Sequence, residues 1–159
     1  MVTTIGEISK DVKDTLLVKT NKKIQFRDTG LYIQSDSDGN LKIYSDGSIT
    51  FDGMVKDAVT TFTADADIDG GKYSFIELDG SSANVQLTKL NAYKGQKLVI
   101  TCSDSTNTTT VKTVSGTTFD GTNNTATFDA AGETLVLYAI SDTQFVIIEN
   151  IGSVGLSST

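Results

Sequence analysis

The amino-acid sequence predicts an all-β protein on three observations. Threonine, which favours strands, occurs 24 times in 159 residues. Short apolar runs alternate with turn signals such as Asp38-Gly39-Asn40 and Asp46-Gly47. Only four glutamates are present, and no long stretch is rich in helix-forming residues. At this length the chain can bury a core in one or two domains without disulfides.

The composition argues against several classes of function. Histidine is absent, which removes the commonest general base and the commonest transition-metal ligand. No nucleophile elbow, phosphate-binding loop or zinc-ligand spacing occurs, so we expect no enzyme, no catalytic residue, no cofactor and no metal site. The net charge is −7 and Arg27 is the only arginine, so we expect neither nucleic acid nor membrane as a partner.

The single cysteine and the hydropathy pattern indicate a soluble protein. Cys102 ends the apolar run 98–102 and is predicted to be a buried structural thiol. Because it is the only cysteine, no intramolecular disulfide can form. The first thirty residues lack the apolar run of a signal peptide, and no segment approaches the roughly 20 apolar residues that span a bilayer. We therefore expect the chain to be made and used in solution.

Residues 1–22 are predicted to form an N-terminal arm with a short amphipathic helix. Thr4 and Glu7 form a capping-box pattern, and apolar residues follow at helical spacing. Two interpretations stay open, a frayed helix packed on its own body and an arm that anchors the protein to a partner. In the second, the contacting residues would be Ile5, Ile8, Lys10, Val12, Lys13 and Leu16.

Residues 23–80 are predicted to form a segment of short β-strands. Pairs of apolar residues two apart, the period of a strand with one buried face, recur every seven to ten residues up to Gly53. The pairs are Ile24/Phe26, Leu31/Ile33, Leu41/Ile43 and Ile49/Phe51. Such strands bury too few side chains to form an independent core, so either the second half of the chain covers them or identical chains meet around an axis. The second option predicts a homotrimeric β-prism with these eight residues at the trimer interface.

The stretch from Thr60 to Gly80 is predicted to add two more strands. Within it, Asp65, Asp67 and Asp69 followed by Gly70 match the opening of a calcium-binding loop. The twelfth position, which needs a bidentate glutamate, is Ile76. Because apolar residues alternate with the three aspartates, they are better explained as the outward face of a strand that resists edge-to-edge association.

Residues 81–152 are predicted to form an antiparallel β-sandwich or jelly roll, after a module boundary at 79–82. Short strands recur there at regular intervals between turn signals. Three runs, 98–100, 135–138 and 145–148, are apolar on both faces and are predicted to be central strands, whereas threonine-rich runs should be edges or face solvent. Residues 153–159 form a small polar tail that is either disordered or paired with a neighbouring subunit.

Two segments resemble virion proteins of tailed bacteriophages. Lys23 to Ser35 followed by Asp38 to Ile43 is similar to a recurrent segment that pairs a "FRD" strand with a "DG-x-L" strand. The second half, through 85–87, 95–98, 127–133 and 145–147, resembles a β-sandwich module of phage head-decoration and fibre proteins. The resemblance covers residues 23 to 150 and implies a trimer on the virion surface. No matching motif occurs in residues 1–22.

The resemblance implies a capsid decoration (cement) protein on the outer surface of the phage head. Its partners would be two further copies of itself and the major capsid protein lattice, and it would be made in the host cytoplasm. The alternative of a different class is a tail or head fibre protein that binds a host-surface glycan. The five tyrosines could supply stacking platforms for a sugar, but they form no cluster in the sequence, so core and interface packing is their default interpretation. A third is a cellular calcium-dependent adhesion module.

Overall fold

A computed structural model describes residues 31–34, 41–54 and 56–159, and the backbone of 23–25. Within this part of the chain the protein is all-β, as predicted, with one 3-10 helix and no α-helix. The expected arm residues Ile5, Ile8, Lys10, Val12, Lys13 and Leu16 lie outside the described residues, as does Phe26. The chain divides into two compact units, Met1–Met54 and Val55–Thr159.

The first unit contains a three-stranded antiparallel sheet. Its strands are β1 (Lys23–Gln25), β2 (Leu31–Gln34) and β3 (Lys42–Ser45), in that order across the sheet. The predicted fourth strand at Ile49 and Phe51 was wrong, because both residues lie outside any strand. A turn directly follows β3, where the Ser45 hydroxyl accepts a hydrogen bond from the Gly47 N–H and donates one to the Ser48 carbonyl.

The second unit is a sandwich of two five-stranded sheets, called sheet I and sheet II. Sheet I has the order β12-β11-β8-β6-β4, and sheet II has the order β13-β10-β9-β7-β5. The strands are β4 (Val59–Phe62), β5 (Ala66–Asp67), β6 (Phe75–Asp79), β7 (Val85–Leu90), β8 (Lys97–Asp104), β9 (Thr109–Thr113), β10 (Thr125–Phe128), β11 (Thr134–Ser141), β12 (Gln144–Ile151) and β13 (Gly155–Ser157). The 3-10 helix, Gly70–Lys72, lies between β5 and β6.

The strands from β4 to β9 wind as a coil that crosses from one sheet to the other at every step. β4, β6 and β8 lie side by side in sheet I, and β5, β7 and β9 do so in sheet II, all with parallel pairing. The remaining strands pair antiparallel. Within residues 81–152 the predicted antiparallel pairing is confirmed for β8 with β11, β9 with β10 and β11 with β12, and it is wrong only for β7 with β9, which are parallel. Hydrophobic alternation reports which face of a strand is buried, and it does not report the partner strand.

The coil of β4 to β9 also bears on the predicted boundary between modules. The boundary expected near residue 80 lies inside the sandwich, since β4, β5 and β6 belong to the same two sheets as the later strands. The alternation from Phe62 to Ile68 predicts one strand. The chain instead leaves sheet I after Phe62 and enters sheet II at Ala66.

The core lies between the two sheets and is built from their inward faces. Its fully buried large side chains include three phenylalanines, and Phe119 and Phe145 stack with their ring centroids 6.3 Å apart. The largest members are Phe119, Phe128, Phe145, Ile76, Leu78, Leu87, Leu90, Leu98, Ile100, Leu135, Leu137 and Val85. This contiguous cluster stabilises the second unit through burial of apolar surface.

The sandwich also decides two predictions, one about the strand at 145–148 and one about the tail at 153–159. The strand at 145–148 was predicted to be central, but β12 lies at the edge of sheet I, whereas β8 is its middle strand. The tail was expected to be disordered or paired with another subunit. Within this chain it forms β13, in which Leu156 is the register partner of Ala126 in β10.

Candidate interaction surfaces

The sheet of the first unit has an apolar face whose described side chains are partly exposed. The backbone register aligns Ile24 with Ile33 and Ile33 with Ile43, so these positions share one row across the sheet. Leu31 and Ile33 are half-buried, and Ile43 is 43% exposed. No residue of 31–34 or 41–54 is buried. A three-stranded sheet with such a face needs cover from elsewhere to be stable.

Not every residue predicted for the trimer interface lies on that face. Leu41 precedes β3 and is 69% exposed, and Phe51 is 61% exposed outside any strand. The opposite face of the sheet carries Tyr32 and Tyr44, whose rings stack at 5.1 Å between centroids. The structure thus brings Leu31, Ile33 and Ile43 together and leaves Ile49 and Phe51 apart from them.

The three aspartates that match a calcium-loop opening bind three different sets of partners. Asp65 accepts a hydrogen bond of 2.8 Å from the Gln86 N–H. Asp67 accepts hydrogen bonds from the Thr88 hydroxyl and the Lys89 ammonium group, and the contact with Lys89 lowers the pKa of its carboxyl group. Among the described residues no group of three or more acidic, histidine or cysteine side chains is placed to hold a metal ion.

Asp69 instead belongs to a polar cluster around Tyr93. Its carboxylate accepts hydrogen bonds from the Tyr93 hydroxyl, at 2.9 Å, and from the Gly71 N–H, at 3.1 Å. The hydrogen bond from Tyr93 is the main reason that the pKa of Asp69 is lowered, and the same contact raises the pKa of Tyr93. Asn91 links the two ends of the cluster, since it donates to the Tyr93 hydroxyl and accepts from the Gly70 N–H.

Close packing and backbone strain both occur at this cluster. A Cβ atom on Gly70 would lie 2.2 Å from the Asn91 carbonyl oxygen, so only glycine fits there. Lys89 has φ of +63°, an uncommon value for a side chain-bearing residue, at an irregularity in the pairing of β7 with β9. A shallow groove lies between these elements and is lined by Asp67, Ile68, Asp69, Lys89, Asn91 and Val114.

The outward face of sheet I carries a continuous apolar row that sequence reasoning missed. The register places Val59 beside Phe75, Phe75 beside Val99, and Val99 beside Val136, across four adjacent strands. All four side chains are solvent-accessible. On β12 the register partner of Val136 is the exposed Glu149, so a carboxylate ends the row there. Ile148, the extra residue of the bulge next to Glu149, is 64% exposed and adds a fifth apolar side chain to Val59, Phe75, Val99 and Val136. We call these five residues the apolar row.

The outward face of sheet II has a different chemistry. Its central positions carry Gln86, Thr110 and Thr127, which are register partners across β7, β9 and β10. Lys112 and Thr88 lie on the same face. Of the threonines in β9 and β10, Thr110 and Thr127 face solvent as predicted, whereas Thr109 and Thr125 are buried. Both strands lie inside the sheet and not at its edge. The contrast shows that the apolar row is specific to sheet I.

Two potentially reactive groups are buried and serve the fold. Cys102 is 1% exposed, as predicted, and burial raises the pKa of its thiol. Glu133 is 5% exposed, and its carboxylate accepts hydrogen bonds from the N–H groups of Asp129 and Ala130, at 2.6 and 3.2 Å. Glu133 was not predicted from sequence, because a glutamate after Ala131-Gly132 looks like an ordinary surface turn residue.

No protein-family model matches the chain, and no curated protein matches it. In the described part of the chain, no helix is long and apolar enough to cross a membrane.

Proposed function

We propose that the protein is a homotrimeric capsid decoration protein that binds the outer surface of a phage head and stabilises its lattice. The observation that supports this most is the partly exposed apolar face of β2 and β3, with Ile33 and Ile43 accessible in one row. Three copies around an axis would bury that face. The resemblance of residues 23–43 to virion proteins favours the same arrangement.

The stabilising mechanism is thermodynamic and requires no catalytic residue. A protein that binds the assembled lattice and not the separated subunits adds RT ln(1 + [L]/Kd) per site to the free energy of disassembly. The major capsid protein is the partner in this proposal, and the chain is made in the host cytoplasm before it joins the particle. The expected contacting arm carries Lys10 and Lys13 within a protein of net charge −7, which favours an acidic surface on the lattice side.

Location in the particle tests the proposal directly. Gold-labelled antibodies against residues 55–159 should mark the whole head of purified virions in electron micrographs. Particles that lack the chain should lose their genome at a lower temperature than complete particles, and added protein should restore the difference. Label confined to the tail, or absent from particles, would contradict a decoration role.

The trimer is tested separately with one substitution in the first unit. Ile43→Lys places a charge in the row that three copies would bury, so the number of copies per assembly should fall threefold in light scattering. Ser48→Lys adds the same charge at an exposed position outside the strands and should leave the mass unchanged. Equal masses for wild type and Ile43→Lys would argue against the trimer.

A glycan-binding fibre protein is the second candidate, and the Tyr93 cluster favours it. The Tyr93 ring is 42% exposed, and Asp69 and Asn91 supply the carboxylate and amide groups that commonly accompany an aromatic platform in sugar sites. A glycan array probed with wild type and Tyr93→Ala distinguishes the candidates. Binding that disappears in the variant supports a fibre role, and absence of binding by wild type disfavours it.

A further inference from the structure

We propose that residues 154–159, the segment that follows β12, exchange between two copies of this chain, so that each copy donates its β13 to the β10 edge of the other. This exchange goes beyond the proposed trimer and lattice contact, because it uses only strands of the second unit. It re-forms between two copies the contacts that the segment makes within one, so the partner is a second copy of the same chain.

The rest of the sandwich builds a fitted site for this segment. β13 pairs antiparallel with β10, and Leu156 is the register partner of Ala126. Val154 is 4% exposed and belongs to the core between the two sheets. Asn150, near the end of β12, accepts a hydrogen bond of 2.8 Å from the Val154 N–H and donates one of 3.1 Å to the Val154 carbonyl. An occupant of this site must therefore offer a strand with an apolar residue at the position of Val154, as a second copy does.

The hinge of the segment is the turn at Gly152 and Ser153, which separates the end of β12 from Val154. Both hinge residues have positive φ, +81° for Gly152 and +73° for Ser153. Glycine adopts this conformation readily, whereas the Cβ atom of a serine crowds the backbone there. The Ser153 side chain is exposed, so core packing does not impose the conformation. The turn that closes the segment onto its own chain is therefore strained, and an extended hinge that reaches a second copy releases the strain.

The hinge and the cost of association decide between the closed and the exchanged forms, because the contacts of the segment are the same in both. At low concentration the closed form prevails, since the short hinge holds the segment at a high effective concentration near its own site. Exchange becomes effective where copies are held close together, as on the proposed lattice. It is slow, because Val154 has to leave the core before it can enter the second copy.

A pair of cysteines across β10 and β13 reports which chain donates the strand. A Cβ atom added to Gly155 would lie 3.9 Å from the Thr127 Cβ, within the roughly 3.5–4.5 Å that a disulfide requires. In the full chain with Thr127→Cys and Gly155→Cys, a closed segment gives a disulfide within one chain, and an exchanged segment gives a disulfide between two chains. Denaturing electrophoresis without reductant separates the two products. It also dissociates the proposed trimer, so the trimer does not affect the result.

The reduced double variant is held at about micromolar and about millimolar concentration before oxidation, and the remaining thiols, including Cys102, are blocked before denaturation. Disulfide-linked chains should be at least about tenfold more abundant at the higher concentration. Thr127→Cys alone and Gly155→Cys alone measure linkage by random collision and should give far less. The proposal is overturned if the double variant forms disulfides only within one chain at both concentrations, if it forms none, or if the single variants link equally well.

Two substitutions at the hinge test the exchange without added cysteines, by sedimentation in the Ile43→Lys background that removes the proposed trimer. Ser153→Gly relaxes the closed turn and should raise the dissociation constant of exchanged dimers at least about fivefold, since each dimer contains two hinges. Ser153→Val strains the closed turn further and favours an extended hinge, so it should lower that constant by a similar factor.

Ser82 is the matched control for the hinge, because it is exposed and its φ is not positive. Ser82→Gly and Ser82→Val should leave the dissociation constant unchanged, which separates hinge strain from a general effect of an added glycine or an exposed valine. Equal constants for Ser153→Gly, Ser153→Val and the parent chain would show that the hinge does not drive exchange, and the proposal would be rejected.

Discussion

The Tyr93 hydroxyl donates a hydrogen bond to the Asp69 carboxylate, and this contact ties the loop after β7 to the start of the 3-10 helix. Asp69 also accepts from the Gly71 N–H within that helix. The sequence predicts three equivalent aspartates on a strand. The structure gives Asp69 a separate role, because its carboxylate orders the turn through which the chain returns from sheet II to sheet I.

Tyr93→Phe should raise the pKa of Asp69 towards its ordinary value, because the substitution removes the main contact that lowers it. The folded-state pKa lies below the unfolded value, so the carboxylate stabilises the fold above about pH 3.9 and loses that effect as the pH falls through its folded-state pKa. The stability deficit of Tyr93→Phe should therefore be largest near neutral pH and shrink in acid. Carbon-detected NMR titration measures the pKa, with Tyr138→Phe as a control.

Glu133→Ala should destabilise the second unit by about 1–3 kcal/mol, because it leaves the N–H groups of Asp129 and Ala130 without their acceptor. Glu133→Gln keeps an acceptor oxygen and should lose less. Glu149→Ala removes an exposed carboxylate from β12 and serves as the control. Urea unfolding at constant pH ranks the three, and equal midpoints for Glu133→Ala and wild type would contradict the assigned contact.

Gly70→Ala should destabilise the protein by about 2 kcal/mol or more, because a Cβ atom there would overlap the Asn91 carbonyl oxygen. Gly155→Ala is the matched control, since the nearest atom to its added Cβ lies at 3.7 Å, an ordinary contact distance. Thermal unfolding compares the two variants. A smaller loss for Gly70→Ala than for Gly155→Ala would show that the approach of Asn91 is not as tight as described.

The thiol of Cys102 should be protected from alkylation in the folded protein. It is buried, and the raised pKa keeps it protonated at neutral pH. Mass spectrometry after iodoacetamide treatment should show modification only in denaturant, at the rate of unfolding. Rapid labelling of the native protein would mean that the segment carrying β8 opens readily, in conflict with its position in the middle of sheet I.

Residues 55–159 should fold cooperatively when produced alone, because both sheets and the core lie within them. Residues 81–159 should not, since this fragment lacks β4, β5 and β6 and exposes the inward faces of β7 and β8. Amide-proton NMR dispersion distinguishes the outcomes. A folded 81–159 fragment would restore the boundary near residue 80 that the sequence predicts.

The sequence predicts where strands and turns occur more reliably than it predicts which strands pair with one another. The apolar run from Lys97 to Cys102 correctly predicts a strand, and Asp46-Gly47-Ser48 correctly predicts a turn. Parallel pairing of Val59 with Phe75 was not predictable, because the two residues are joined by a strand in the other sheet. Local patterns carry no information about such a crossing.

Local sequence patterns also could not reveal that the outward face of sheet I is apolar. Val99 and Val136 interrupt the alternation of β8 and β11, which the sequence attributes to a strand buried on both faces. The structure buries the residues on either side of them and leaves the valines facing outward. In a sequence, an apolar residue that faces outward cannot be distinguished from an apolar residue in a strand buried on both faces. The order of the strands in the sheets is needed to distinguish them.

The position of β4 has a mechanical consequence. It is the first strand of the second unit, and it lies at the edge of sheet I, with a ladder of four residue pairs to β6. Tension that arrives along the chain from the first unit therefore acts first on this short ladder. Under load the protein should lengthen by release of β4 and then β5, while β8 stays in place. The connection between the two units can therefore extend while the rest of the sandwich remains folded.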